Sequence, residues 1–353
     1  MEEKEDWSLY PYKPNLPAPI VYAILLAIST GIHAYQNFRY KYWRVTFFMF
    51  YGGILFLSGW LIRPISAKYD QNVPLFIVQT VLILAGPPVY AAAEYNVLGR
   101  LMHYLPMHAP LNPSRVIYFF IYLGALVEML TGTGAGQLAS AERDDKAQRQ
   151  RGNMLISISL VLQGVVEVVF ICFVALIHRR ASRAGMLAPN VLTVCRTLYC
   201  TASLVLFRCI FRAVEAFESV QPSCNDYYCG TIAHNEWYIL VLEALPMIAY
   251  TYWLNIVHPG RFLPLEHRRY LDLDGKTERM GPGWIEERSK WKTFVDPFDV
   301  KSAIHGRSDK VKFWNRAHEW PACEDGSFAT GTATNVGKSY KDGKATNLQV
   351  QSV

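Results

Sequence analysis

Residues 154–178 read MLISISLVLQGVVEVVFICFVALIH and contain a single charged side chain, that of Glu167. An apolar run of about 20 residues is long enough to cross the hydrocarbon core of a bilayer as an α-helix. The apolar residues are continuous here, whereas strands of membrane β-barrels alternate apolar and polar residues. The stretch therefore predicts a transmembrane helix.

Similar apolar runs occur through most of the chain. They cover residues 18–36, 45–62, 74–98, 116–138, 190–214 and 237–257. Only 18% of the 353 residues are charged, against about 25% in soluble domains. Because backbone groups inside a bilayer must bond within their own span, we predict an all-α, polytopic membrane protein. Its fold would be a seven-transmembrane-helix bundle followed by a polar, partly disordered C-terminal tail.

The third run contains Gly86-Pro87-Pro88. Proline has no backbone N–H and its ring crowds the preceding turn of a helix. We therefore expect this helix to be interrupted and bent at the two prolines.

Lys and Arg residues in the loops predict the orientation, because they are more frequent on the cytoplasmic side. An extracellular N-terminus places the larger group inside: Arg39, Lys41, Arg44, Arg100, Arg115, Arg179, Arg180, Arg183, Arg261, Arg268 and Arg269. We expect an extracellular segment (1–17), a membrane domain (18–258) and a cytoplasmic tail (259–353) that is disordered from about residue 326. The plasma membrane is the expected location, and the net charge of +6 reflects these loops rather than nucleic-acid binding.

The tail contains four tryptophans, which is unusual for a disordered segment: Trp284, Trp291, Trp314 and Trp320. They indicate a segment that packs on itself or against the membrane. A docking motif for a cytosolic partner is the alternative.

Charged side chains within the sixth and seventh runs form the first candidate site. Arg208, Arg212 and Glu215 are spaced i, i+4 and i+7 and so share one helix face, and Glu243 lies at similar depth in the next run. A charge at membrane depth costs about 3 kcal/mol on insertion scales. Two interpretations are open: ion pairs that lock two helices together, or a charged vestibule that holds a ligand headgroup.

A second group of candidates lies nearer the middle of the membrane. Glu128 and Glu167 have no obvious basic partner at their depth, Gln163 is one turn from Glu167, and Glu94 lies toward the inner side. The carboxyls of Glu128 and Glu167 are candidates for proton acceptors in transport, and Glu94 and Gln163 are further candidates for substrate binding or coupling. The Glu128 and Glu167 carboxyls are equally candidates for neutral hydrogen-bond donors that fix helix packing.

Small and metal-binding residue types suggest further features. Gly132 and Gly136 are spaced as a small-residue face for close helix contact. Cys224 and Cys229 lie in the last outer loop, where a disulfide is plausible. Histidines near the inner ends could form the metal site of an intramembrane hydrolase, although none are at ligand spacing on one helix: His33, His103, His108, His178 and His258. We expect no metal, no cofactor and no enzymatic activity.

Four motifs recur in a familiar order: AAAEYNVLGR (91–100), Gly152 followed by LVLQ (160–163), FRCIFRAVE (207–215), and HNEWYILVLEALPM (234–247) with HPG (258–260). Together they resemble the fungal RTA-like family, also called lipid-translocating exporters. The resemblance implies seven transmembrane helices with the N-terminus outside. It also implies translocation of sphingoid bases or phospholipids, resistance to toxic amphiphiles and, in one branch, porphyrin transport. The family usually has Asp at the positions of Glu128 and Glu243.

The leading functional hypothesis is a transporter or exporter of lipids or amphiphiles, such as sphingoid long-chain bases, phospholipids or toxic amphiphilic compounds. Its partners would be membrane lipids and the substrate itself. The sequence has no nucleotide-binding motif, so the chain would not be driven by ATP on its own. The alternatives are a seven-helix receptor for an amphiphilic ligand and an intramembrane metal-dependent hydrolase.

Overall fold

The computed structural model describes residues 8–141, 145–220, 230–284, 289–296 and 313–323. Seven helical spans in these ranges are long and apolar enough to cross a membrane, which confirms the predicted fold class. Their bounds are α1 (Pro17–Tyr40), α2 (Trp43–Lys68), α3 (Val73–Tyr104), α4 (Pro113–Ser140), α5 (Lys146–Arg183), α6 (Pro189–Val220) and a composite seventh span (Glu236–Arg261).

Polar caps explain why several helices begin before their apolar runs. The Asn72 side chain accepts a hydrogen bond from the Leu75 N–H at the start of α3. Asp145 does the same for the Gln148 N–H at the start of α5. Such caps satisfy N–H groups that have no partner within the helix. The first, more hydrophilic turns of these helices are therefore stable outside the apolar run.

The helices pack as a closed bundle. Each packs against the next along the chain, the seventh span packs against α1, and α3 also contacts α5 and α6 and so lies centrally. We call the end at which α1 begins the N-face and the opposite end the C-face. Glycines let α2 and α3 approach closely: a Cβ added to Gly59 would lie 2.7 Å from the Ile83 side chain.

Helix α3 continues without a break across Pro87 and Pro88, so the predicted interruption is not present. The carbonyls of Ile83 and Leu84 lose their helical donors there, since proline has no N–H. Gly86 packs directly on α2, where an added Cβ would lie 2.7 Å from the Phe56 Cβ. Helix α3 is therefore continuous at the point where Gly86 packs closely on Phe56 of α2.

A glycine of α4 does pack closely on another helix, but it is Gly134 and not the predicted Gly132 or Gly136. Cβ atoms added to Gly132 or Gly136 would meet nothing within 4 Å, whereas one on Gly134 would lie 2.8 Å from the Gly152 carbonyl oxygen. Gly134 lies between the two in sequence and so points to another side of the helix. Helix α5 packs on that side.

The seventh span changes its helical geometry twice. It comprises α7 (Glu236–Tyr238), a π-helical segment (Ile239–Ala244) and α8 (Leu245–Ile256). The Leu245 N–H donates to the Leu240 carbonyl, five residues back. Pro246 follows directly, and its ring would crowd a carbonyl in an ordinary helical turn. The wider π turn gives that ring more room.

The chain after the seventh span folds against the C-face. Strands β1 (Arg269–Leu271) and β2 (Glu278–Met280) form an antiparallel hairpin with Tyr270 opposite Arg279, which the sequence analysis missed. Tyr270, Phe313 and Trp314 are buried together, and Trp284 packs on them. These aromatics form a self-packed unit, although Trp291 is 71% exposed. Cys224, Cys229 and the tail from residue 326 lie outside the described residues.

Replacing Gly134 by Ala should destabilise the bundle, because the new methyl would lie 2.8 Å from both the Gly152 oxygen and the Ile156 side chain. Overpacking of this kind costs about 1–3 kcal/mol. Thermal unfolding of the detergent-solubilised protein, followed by size-exclusion chromatography, measures the effect. Gly132→Ala is the matched control and should be neutral or slightly stabilising. Equal stability of the two variants would contradict the Gly134–Gly152 contact.

Candidate functional site

The four charged residues predicted near the N-face come together in one network of ion pairs. Arg208 Nη2 lies 3.1 Å from Glu243 Oε1, and Arg212 Nη2 lies 2.6 Å from Glu243 Oε2. Arg212 Nη1 also lies 2.5 Å from Glu215 Oε2. We call these four residues the charge network. It joins α6 to the seventh span with two positive and two negative side chains.

The charge network is fully buried at one end and partly accessible at the other. The Arg208 and Glu243 side chains are 0% exposed, whereas those of Arg212 and Glu215 are 12% and 19% exposed. The i, i+4, i+7 spacing on α6 produces this gradient, since Glu215 is two turns nearer the N-face than Arg208. A polar molecule arriving from the N-face would meet Arg212 and Glu215 first.

Glu128 on α4 lies near this network. Arg208 is the charged group that acts on its carboxyl, so the expectation that Glu128 lacks a basic neighbour is wrong. Helix rotation decides this contact, and the sequence does not give it. Within the described part of the chain, Arg208 Nε, Arg208 Nη1 and Glu128 Oε1 are buried without a hydrogen-bond partner. Buried groups in this state are available to a ligand or to water.

Glu94 on α3 and Glu167 on α5 form a second site. Their side chains are 1% and 0% exposed, and their carboxyls are close enough to interact. Thr201 and Tyr250 also lie beside Glu94, and Tyr95 lies beside Glu167. The sequence analysis grouped Glu167 with Glu128, but the structure places it with Glu94.

Gln163 lies one turn from Glu167 on α5. It is 5% exposed, and its Nε2 has no partner among the described residues. Of the eight candidate residues, Gln163 is the one that makes no polar contact with another candidate among the described residues. The structure thus brings seven of the eight into two groups.

One of the cavities in the described part of the chain touches the second site, and another lies on the outside of the bundle. One, of about 10 Å³, extends from Glu94 to Pro259 and Phe262 near the C-face, and a volume of this size holds about one water molecule. The other, of about 150 Å³, is an apolar groove between α1 and α2 beside Trp60 and Pro64.

A third buried ion pair was missed by the sequence analysis. Arg63 Nη2 lies 2.8 Å from Glu236 Oε1, and both side chains are less than a tenth exposed. The pair also binds the segment before α1: Arg63 donates to the Tyr12 hydroxyl, and the Asn15 N–H donates to Glu236. The second apolar run, 45–62, ends one residue before Arg63, so the sequence does not place Arg63 within a span. The continuation of α2 to Lys68 places it inside the bundle.

The inner histidines do not converge on one point. The rings of His33 and His258 are 6.5 Å apart, while those of His103 and His267 are 6.2 Å apart elsewhere. His108 lies in the α3–α4 connection, where burial and then Arg180 lower its pKa. In the ranges that the structure describes, no group of three or more His, Cys, Asp or Glu side chains could hold a metal ion.

Residues 49–266 match the sequence profile of a family described as RTA1 like protein. A lipid-translocating exporter-like protein RTA1 from Leptosphaeria maculans is 37% identical over 78% of this chain, and the alignment covers 55% of that relative's length. A protein of the same name from Ajellomyces capsulatus is 30% identical, over 71% of this chain and 80% of its own length. The sphingoid long-chain base transporter RSB1 of Saccharomyces cerevisiae is 22% identical over 70% of this chain and 72% of its own. No solved structure gives a significant match.

The variant Arg208→Met should destabilise the protein by about 3 kcal/mol, because removing one partner leaves a buried charge less well compensated. Adding Glu243→Leu should restore stability, since Arg212 keeps Glu215 as its partner at 2.5 Å. Apolar replacement of a whole buried pair is often tolerated. Thermal unfolding of both variants tests this. A double variant no more stable than Arg208→Met would refute the pairing.

Proposed function

This chain belongs to the RTA1-like protein family, and on that premise we propose that it moves lipids or other amphiphiles across a membrane. The substrate class includes sphingoid long-chain bases, phospholipids and toxic amphiphilic compounds. The names of the relatives support this proposal, since the ones above are called an exporter-like protein and a transporter. The chain covers little more than half of the first relative's length, so activity, substrate and partners are proposals.

The charge network is the observation that carries the proposal. An amphiphile has a polar head that resists entry into hydrocarbon, and polar protein groups at membrane depth lower that barrier. Arg212 and Glu215 are partly exposed, while Arg208 and Glu128 keep buried polar atoms without partners in the described residues. We assign headgroup contact to Arg208, Arg212 and Glu215 of the charge network and to Glu128 beside it. The apolar tail would stay in the surrounding lipid.

Energy for net movement would come from a gradient rather than from this chain's own hydrolysis of ATP. The proposed function involves binding and passage of the substrate and no catalytic step. A receptor would use the same headgroup contacts, so flux of the ligand distinguishes a transporter from a receptor.

We propose that the N-face is extracellular, that the membrane is the plasma membrane and that the chain beyond residue 258 is cytoplasmic. The basic residues near the C-face support this orientation. The self-packed unit there, with its exposed Trp291, is a candidate surface for a cytosolic partner.

An epitope placed in the connection between α6 and α7 should bind antibody on intact cells, because this connection lies at the N-face. An epitope at the C-terminus should bind only after permeabilisation. Immunofluorescence of both tagged proteins, on intact and on permeabilised cells, measures the orientation. Staining of the C-terminal epitope on intact cells would reverse it.

In proteoliposomes, the wild-type protein should transfer a fluorescent long-chain base or phospholipid between leaflets, and Arg208→Met/Glu243→Leu should abolish this transfer while remaining folded. The second buried pair supplies a matched control. Arg63→Met/Glu236→Leu removes the same two residue types from a site outside the charge network, so transfer should persist. Normal transfer by the first double variant would remove the headgroup role from the charge network.

A further inference from the structure

The two carboxyls of Glu94 and Glu167 share one water-poor site in the middle of the bundle. Both side chains are essentially unexposed, and each acts on the other. They lie on α3 and α5, which are not consecutive helices. Within the described residues, none of the four carboxylate oxygens has a well-formed hydrogen bond. We call these two residues the carboxyl pair.

No cation faces the carboxyl pair in the part of the chain that the structure describes. The polar groups beside it come from α3, α6 and α8 and are Tyr90, Tyr95, Cys200, Thr201, Cys209 and Tyr250. Met49 of α2 lines the cavity beside Glu94, and Phe120 of α4 stacks on Tyr95. Arg196 of α6 points outward and is exposed.

The rings of Tyr95, next to Glu94, and Phe170, one turn from Glu167, are 5.4 Å apart, so α3 and α5 are packed together at this level. Two buried carboxyls that act on each other cannot both be ionised without a compensating cation. The pair therefore holds either one shared proton, with a net charge of −1, or two protons, with no charge. A change between these states takes up one proton from bulk water or returns it. Such a change alters the charge inside the bundle by one unit without any covalent step.

The small cavity gives the carboxyl pair a route to one side of the protein. It touches Glu94 and reaches Pro259 and Phe262 at the C-face. Thr197 lines it and lies one turn from Thr201, so two hydroxyls follow the same face of α6. A water molecule in the cavity would lie on the C-face side of Glu94 and would be the first step of a proton path from that side.

The carboxyl pair is also linked to the charge network. Cys209 follows Arg208 on α6 and packs on α5 one turn from Glu167, since a Cβ added to Gly164 would lie 3.8 Å from the Cys209 Cβ. When the pair carries a negative charge, that charge attracts Arg208 and competes with Glu243 for the guanidinium. When the pair is doubly protonated, this additional attraction on Arg208 is absent.

We propose that the carboxyl pair is a proton-binding site that takes up its proton from the C-face and couples proton movement to the charge network. This inference rests on the proposed transport function for its physiological consequence. The binding of the proton itself does not depend on any substrate.

Infrared spectroscopy of the purified wild-type protein in lipid tests proton binding directly. At neutral pH it should show the C=O band of a protonated carboxyl in a dry site, and Glu94→Gln/Glu167→Gln should lose that band. Glu128→Gln is the control and should keep it. An unchanged band in the double variant would refute the proposal, whether or not the protein transports anything.

Transport of a fluorescent long-chain base in proteoliposomes tests the coupling. A pH gradient should change the wild-type rate, and Glu94→Gln/Glu167→Gln should remove that gradient-dependent part. If the double variant does not accumulate, Glu167→Gln decides instead, because a lone carboxyl has no neighbour with which to share a proton. A wild-type rate that ignores the gradient would overturn the coupling, whereas no wild-type transfer at all would overturn the proposed function.

Discussion

Polar groups inside this bundle must find their partners within the protein, because hydrocarbon offers none. The backbone meets this requirement through long helices, and buried arginines meet it through glutamates on neighbouring helices. Arg208 with Glu243 and Arg63 with Glu236 are such pairs. The first pair joins the seventh span to α6 and the second joins it to α2, so the ion pairs also fix how the last span meets the rest of the bundle.

The same constraint identifies the groups that can act on a ligand. A buried polar atom that has a partner contributes to stability, whereas one without a partner is available for binding or protonation. Arg208 combines both conditions, since Nη2 contacts Glu243 while Nε and Nη1 are unpartnered within the described ranges. In the transport function proposed above, one side chain would therefore have both a structural and a binding role.

The sequence predicted features that depend on periodicity within one helix and missed those that depend on how helices face each other. Apolar runs gave the seven spans, and i, i+4 spacing gave the shared face of Arg208 and Arg212. The contact between Glu94 and Glu167 depends on the rotation of α3 and α5 about their own axes, which the sequence leaves open. The same uncertainty explains why Gly134, and not its neighbours Gly132 and Gly136, packs against α5. The Arg63 ion pair was missed because α2 continues to Lys68, beyond the end of its apolar run at residue 62.

The π-helical segment (Ile239–Ala244) affects how this region is compared between relatives. A π turn is equivalent to one residue inserted into an α-helix, and one residue corresponds to a rotation of about 100°. A relative that lacks this extra residue would present its acidic side chain to a different neighbour. This holds even if the residues before and after the segment align well. An acidic residue aligned with Glu243 therefore faces the same neighbours only if the relative also has the π turn before its equivalent of Pro246.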